Sequence, residues 1–448
     1  MTATIIVGGG IAGLALAHRL VRLDPDHDVK VVEASPRPGG VVRTQRAEGF
    51  VTEVGPETIV DDGSGLSGLI GDLGLTGNTI EPRPDVKRRF IVRHGHLVEV
   101  PTLPGAFLRS PLLPLSAKAR LALEPLCRRG RDPEETLASF VTRRFGREVL
   151  EQLVDPFASG IFAGLPERME MASCFPEVWK AEQDYGSVLR GMRRARKGRG
   201  RPRIIGFRGG NEDLVNALRR VLGDRLWLGR SVTGLHRAGA QWGVTVGGEV
   251  PIELTADRIV LGIPSYRAAE LVRPHDAELA RELDSIVFVS LASVFLAVPE
   301  PRVPDDVRGF GFLVPRREAK NSVLGVLYSS DLFEGRARAG YKLFRAMLGG
   351  ARNPSALEAT DDQLLIEVRE TLHDLAGVEA EPMFCRVHRY ERTLPQFEPG
   401  HQARMGRVRE RLAGLPGLCL TGQSYEGSGV STCIRNARAL AEELGGAT

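Results

Sequence analysis

The chain has 448 residues, 42% hydrophobic and 26% charged, with 60 basic against 56 acidic side chains and a net charge of +4. That is the make-up of a globular protein with enough apolar residues for two or three domains, and it excludes a disordered or collagen-like chain. The small excess of positive charge gives no reason to expect nucleic acid as a partner.

Residues 3–7, Ala-Thr-Ile-Ile-Val, predict a short strand that ends at Gly8-Gly9-Gly10. Leu14, Ala17, Leu20 and Val21 then follow helical spacing, and residues 29–32 predict a second strand ending at Glu33. From about residue 85 the pattern is helical, at 117–127, 135–153 and 177–196, after prolines at 101, 104, 111 and 114. A dense basic run spans 190–203. Strand patterns return over 204–264, and 286–350 reads as a β-rich block. Its run 286–298 is too short for a membrane span and predicts a buried strand. A helix is expected at 361–376, another at 402–413, a strand at 418–421 and a last helix at 432–444. Five scattered cysteines form no CxxC pair, so reduced thiols and no metal site are expected. The apolar N-terminus is broken by three glycines and lacks a basic flank, so it does not read as a signal peptide.

This order implies discontinuous α/β architecture: a nucleotide-binding domain from 1–85, 204–266 and 395–448, a helical domain at 86–203 and a β-rich substrate domain at 267–394. Gly8, Gly10 and Gly13 form GxGxxG between strand and helix. Gly8 permits the tight turn, Gly10 a close approach to pyrophosphate, and Gly13 close packing of helix on sheet. Gly9, Ile11 and Ala12 complete the turn, whose free N–H groups attract an anion. Glu33 is placed for the ribose hydroxyls. The chain runs on through Ala34, Arg37, Gly39, Gly40 and Val41 to Arg43-Thr44, then Gly55-Pro56-Glu57-Thr58. Arg37 is a candidate for neutralising phosphate. Near the other end, Gly422-Gln423 and Ser428-Gly429-Val430 lie between a strand and a helix, a geometry suited to a flavin ring or its ribityl chain.

The E-A-x-x-R-x-G-G-x-x-x-T passage resembles the amine-oxidase superfamily of flavoproteins, which implies FAD as cofactor and an FAD-binding, Rossmann-like domain. Phe207-Arg208-Gly209-Gly210 with Leu214 resembles the same superfamily, as does Val232, the position whose backbone contacts adenine. The likeness narrows along nearly the full chain to the protoporphyrinogen oxidase family. It is carried by Arg88-Arg89-Phe90, Gly160-Ile161-Phe162-Ala163-Gly164, Gly309 to Pro315, Leu324 to Tyr328, Met347 to Gly350 and Pro395-Gln396-Phe397. Met169-Glu170-Met171 and the basic run depart from the family pattern.

That resemblance implies oxygen-dependent oxidation of protoporphyrinogen IX in haem synthesis, with hydride passing to FAD and hydrogen peroxide formed. It implies that Leu313, Leu327 and Met347 clamp a flat ring, that Gly160 leaves room beside it, and that Arg89 pairs with a propionate. No dedicated catalytic acid or base is implied. Coproporphyrinogen III, with four carboxylates, is the alternative substrate and predicts extra basic residues in the pocket. A flavin-binding protein without catalysis is the reading from another class. The family likeness also implies peripheral attachment of the helical domain to a membrane, on the inner face of the cell membrane of an otherwise cytoplasmic protein. A second copy of the chain is carried as a further partner. His401 reads as a core or capping histidine.

Overall fold

The computed structural model describes residues 2–83, 86, 88–101, 104–195, 202–379 and 381–446. Lys87 and residues 196–201 of the basic run lie outside the described residues. A five-stranded sheet holds β1 (Ala3–Val7), followed in sequence by α1 (Ile11–Leu23) and β2 (Asp28–Val32). Its order is Leu226–Trp227, β2, β1, Arg258–Leu261 and Leu418–Leu420, all parallel. Ile6 pairs with Val31 on one side and Val260 on the other. These central strands are almost wholly apolar because both faces are covered, as parallel sheets require. On one face α1 packs with the helices Glu212–Leu222 and Val430–Gly445, joining Leu14, Leu16, Leu218, Ile434 and Ala437. The other face carries a second core, in which Trp242 and Val244 of an antiparallel three-stranded sheet meet Ala268, Leu279 and Leu283.

The second large sheet has seven strands, in the order Phe384–Gln396, Val287–Pro299, Tyr341–Gly349, Val323–Leu327, Gly311–Leu313, Arg89–Arg93 and His96–Glu99. One face buries Val294, Phe312, Val326 and Phe344 against Leu364, Val368 and Leu372 of the helix Asp361–Ala376. That helix begins with a capping box between Thr360 and Gln363 and stops at Gly377 in the left-handed conformation. From the opposite face Arg345 and Tyr390 reach Glu57 and Val54.

Two boundaries differ from expectation. Residues 89–99, placed in the helical domain, form two strands of the seven-stranded sheet, because Phe90 and Val92 alternate into its core. The helical part starts at Pro104. Residues 267–284, placed in the β-rich domain, belong to the helices Ser265–Val272 and Ala277–Asp284, the second capped by Asp276. Their Ala268, Val272, Leu279 and Leu283 fall on one helical face and fill the second core. Among the described residues no helix is long and apolar enough to cross a membrane.

Candidate functional site

The glycine turn after β1 is fixed by backbone contacts. The Gly8 N–H donates to the Val32 carbonyl at 2.8 Å. Gly8 has φ of 107°, and a Cβ there would lie 2.7 Å from the Gly262 carbonyl oxygen. A Cβ at Gly13 would run into the carbonyl oxygen of Gly8. Glycine at both positions lets α1 begin directly against the sheet, with its first N–H groups unpaired and pointing outwards. Glu33 is held by three donors: the Gly9 N–H (2.7 Å), the Ser35 N–H (2.8 Å) and the Ser35 hydroxyl (2.7 Å). Its oxygens are fixed in place and keep lone pairs for ribose hydroxyls. The Gly39 N–H donates to the Gly9 carbonyl at 2.7 Å, tying the two glycine loops together.

These loops enclose a cavity of about 600 Å³. Of the expected cofactor residues, Gly8, Gly10, Ile11, Ala12, Glu33, Ala34, Gly40, Val41, Val232, Gly422, Gln423, Ser428 and Val430 line it. The others stand behind the wall. Gly9 and Gly13 act through the contacts just described, and Gly429 caps the helix Val430–Gly445. Arg37 turns to its own loop, donating to the carbonyls of Pro38 (3.2 Å) and Gly40 (2.8 Å), so it braces the second glycine loop. At Gly55 a Cβ would run into the Val41 carbonyl, so this loop presses on the cavity wall. Pro56 and Glu57 offer their carbonyls to the Asn211 side chain at 2.8 and 3.2 Å, and Thr58 follows half-buried. Gly262, Ile263, Pro264, Arg267, Glu270 and Leu271 also line the cavity and were missed in the sequence. The available signal was a strand running into Gly-Ile-Pro at the head of a helix, the same strand–turn–helix grammar as the first motif.

The expected substrate residues meet on the cleft face of the seven-stranded sheet. Leu313 pairs with Gly325, which pairs with Met347; Gly311 pairs with Leu327 on one side and Arg89 on the other. Paired residues project to the same face, so Leu313, Leu327, Met347 and Arg89 share it. Leu313 and Leu327 are each the only half-exposed residue of an otherwise buried strand, and Met347 is flanked by buried neighbours. Leu327 packs beside Phe333 and Met347 beside Leu291 and Leu324, so this cleft face is partly open and partly filled. Gly160, on the helix Asp155–Phe162, closes one side, and a Cβ there would lie 2.8 Å from Leu313 Cδ2. Gly160→Ala is therefore expected to push Leu313 into the cleft. Substrate KM should rise several-fold with flavin content unchanged, and unchanged steady-state kinetics would remove Gly160 from the cleft.

Arg89 is exposed, with its guanidinium 4.6 Å from the centre of the Phe310 ring. The structure adds polar residues to the same face. Arg345, paired with Leu327 across the strands, is buried with Glu57 at 3.4 Å and Ser293 at 2.9 Å. His388 lies opposite Ser293; burial, then Arg345 and Arg43, push its pKa down. Tyr390 donates to the Val54 carbonyl, joining the sheet to the cofactor loop. His401 is a core histidine: Nε2 lies 2.9 Å from the Tyr425 carbonyl oxygen, its ring packs on Phe397, and burial pushes its pKa down to about 4.

With a nucleotide cradle beside an apolar cleft, the comparisons acquire a structural meaning. The sequence model of flavin containing amine oxidoreductases matches residues 11–445. The chain belongs to that family. As a flavin containing amine oxidoreductase it is an FAD-dependent oxidoreductase, and the cradle fits FAD through its bare glycines, its free helix N-terminus and the anchored Glu33. Among its relatives is the protoporphyrinogen oxidase of Bos taurus, 34% identical over 98% of this chain and 98% of the relative. The coproporphyrinogen III oxidase of Bacillus subtilis is 28% identical over 98% and 97%. A crystal structure of a putative protoporphyrinogen oxidase from Exiguobacterium sp. 255-15 superposes with a TM-score of 0.84 at 28% identity, covering 100% of this chain and 99% of the other. A reduced UDP-galactopyranose mutase, 14% identical with a TM-score of 0.77 over 100% and 96%, shares the fold.

Proposed function

We propose that this oxidoreductase converts a porphyrinogen to the corresponding porphyrin in haem biosynthesis. The observation that carries this is the apolar row Leu313, Leu327 and Met347, open on the cleft face with a cation, Arg89, at its edge. A reduced tetrapyrrole is a broad apolar ring with anionic propionates at its rim, and this arrangement complements both parts. The two porphyrinogen-oxidising relatives, matched along nearly their whole length, support the same reading.

Bound FAD supplies the hydride acceptor. The chain's part is to hold the ring flat against the three apolar side chains, keep Gly160 small beside it, and orient the ring through Arg89. Pyrrole protons lost in each round can leave to water. Full oxidation would take three two-electron rounds, for which bound FAD would supply the electron acceptor and dioxygen the final oxidant, leaving as hydrogen peroxide. Protoporphyrinogen IX is the first substrate reading. Coproporphyrinogen III is favoured by a second cationic position: Arg43 is half-buried, forms no ion pair among the described residues, and lies close enough to His388 and Tyr390 to perturb both.

The deciding measurement is porphyrin fluorescence in air with each porphyrinogen supplied to the purified flavoprotein. Faster colour formation than in protein-free controls is expected with one of the two, and the preferred one fixes the number of carboxylates recognised. If neither reacts while FAD is bound, the porphyrinogen reading fails. Arg89→Ala is expected to raise KM roughly three- to tenfold, the range for a partly exposed charge-assisted contact. Its flavin content should not change, and loss of flavin would make Arg89 structural.

We further propose that the helical region rests on a membrane surface of the cell, from the cytoplasmic side. Leu108, Leu115, Leu123 and Leu126 are all strongly exposed there, beside the exposed Arg109, Arg120, Arg128 and Arg129. Apolar side chains ringed by cations suit an anionic lipid interface. Co-sedimentation with anionic vesicles is expected, and Leu115→Asp with Leu126→Asp should abolish it. Equal sedimentation of that variant would exclude this face.

A further inference from the structure

Where the cofactor loop meets the cleft face, two acid–base pairs are buried side by side. Glu57 and Arg345 lie 3.4 Å apart with 3% and 5% of their side chains exposed. Glu53 and Arg336 lie 3.1 Å apart and are buried as completely. The first pair occupies a special position. Arg345 shares the cleft face with Leu327, its partner across the strands, and with Met347 two residues on. Glu57 extends from the loop whose Gly55 abuts Val41 in the wall of the nucleotide cavity. The pair therefore ties the loop behind the wall of the FAD cavity to the face that carries the expected substrate residues.

Its construction is unusual for a simple clamp. Arg345 is aimed by Ser293, which accepts from Nε at 2.9 Å. Among the described residues only one oxygen of Glu57 is engaged; Oε1 is buried with no hydrogen-bond partner there. Charges in such a dry place act strongly over several ångströms, because little water screens them. A flavin that accepts hydride gains negative charge, so a fixed cation nearby favours the reduced form and a fixed anion opposes it. Around this pair stand Glu53, Arg336, Arg43 and His388.

We propose that Glu57 and Arg345 act on the reduction potential of the bound flavin with opposite signs and hold it by their balance, Arg345 offsetting a carboxylate that would otherwise disfavour reduction. The idea rests on FAD binding and not on the identity of the substrate. Its signature is a sign. Removing the cation lowers the potential, removing the anion raises it, and removing both restores it. A pair that merely joins loop to sheet gives no opposed shifts.

The test uses holoprotein of wild type, Arg345→Met, Glu57→Gln and the double variant. Potentials are measured by slow enzymatic reduction against a reference dye, without any porphyrinogen. Burial pushes Glu53 up to about 7, so alkaline buffer keeps that neighbour ionised throughout. Each single variant is expected to change the ratio of reduced to oxidised flavin at least tenfold, about 30 mV for a two-electron couple, in opposite directions. The double variant should return close to wild type. Arg345→Lys, which keeps the charge, should stay near wild type and serves if Arg345→Met does not retain FAD. Shifts of the same sign, or a Glu57→Gln protein with full flavin content and an unchanged potential, overturn the proposal. Failure of wild type to oxidise any porphyrinogen leaves this result standing.

Discussion

Arg144→Met is expected to cost about 3–5 kcal/mol, the range for removing one partner of a buried ion pair. Arg144 and its partners Glu124 and Glu182 are fully buried within the helical region. Its guanidinium reaches Glu124 Oε1 at 2.6 Å, Glu182 Oε1 at 2.7 Å and the Gly186 carbonyl at 2.7 Å. The two carboxylates do not depend on it equally. Glu182 keeps Arg143 at 2.8 Å and the Gly130 N–H at 3.0 Å. Burial works against its charge, yet the bonds from Arg143, Gly130 and Arg144 hold its pKa below the usual range. Among the described residues, Glu124 then keeps only neutral donors: the Ser187 hydroxyl at 2.6 Å and the N–H groups of Val188 and Leu189 at 2.9 and 3.3 Å. The stranded charge is therefore Glu124. Adding Glu124→Gln should recover most of the lost stability, and adding Glu182→Gln should recover less. Scanning calorimetry with limited proteolysis of the helical region reads both quantities. A single variant as stable as wild type would show that water reaches this network.

Arg144 also shows where the sequence stops speaking. In 135–153 it reads as one more cation on an amphipathic helix, next to Arg143 and three residues before Arg147. Arg147 does face solvent, pairing with the half-buried Glu151. Arg144 is buried because Glu124 and Glu182, 20 and 38 residues away, converge on it, and no local pattern encodes that convergence. The strand Arg89–Arg93 was hidden although one partner, His96–Glu99, is local: a five-residue run carries little periodicity, and its other partner, Gly311–Leu313, lies more than two hundred residues on. The nucleotide cradle was legible because its requirements are local. A turn that must pass beneath a phosphate demands bare backbone at fixed spacing from a strand and a helix, and this leaves glycines in the text. The cleft residues stood out only through family resemblance, since Leu and Met look the same lining a cleft or filling a core. Arg345, Ser293 and His388 left no mark at all, because their significance depends on which sheet face they share.

The glycines of the first turn allow two roles to be separated by experiment. Gly13→Ala is expected to lose FAD and stability together. Its Cβ would collide with the backbone carbonyl of Gly8, and α1 cannot retreat because Leu14, Leu16 and Leu20 are locked against Ile434, Ala437 and Leu218. Overpacking of this kind costs about 1–3 kcal/mol. Gly10 differs: a Cβ there meets nothing within 4 Å, and its φ of −69° suits any residue. Gly10→Ala should therefore fold with wild-type stability and still bind FAD at least tenfold more weakly, because the methyl group would occupy the space that the pyrophosphate approaches. Unfolding temperature of the FAD-free protein and titration of flavin fluorescence separate the two. A Gly10→Ala protein with full FAD affinity would show that close backbone approach at this position is not required. A Gly13→Ala protein as stable as wild type would show that helix and turn have more freedom than the packing around α1 implies. Both glycines belong to one motif, and the space around each supports the division of roles that the motif implies: open space for the ligand at Gly10, backbone contact at Gly13.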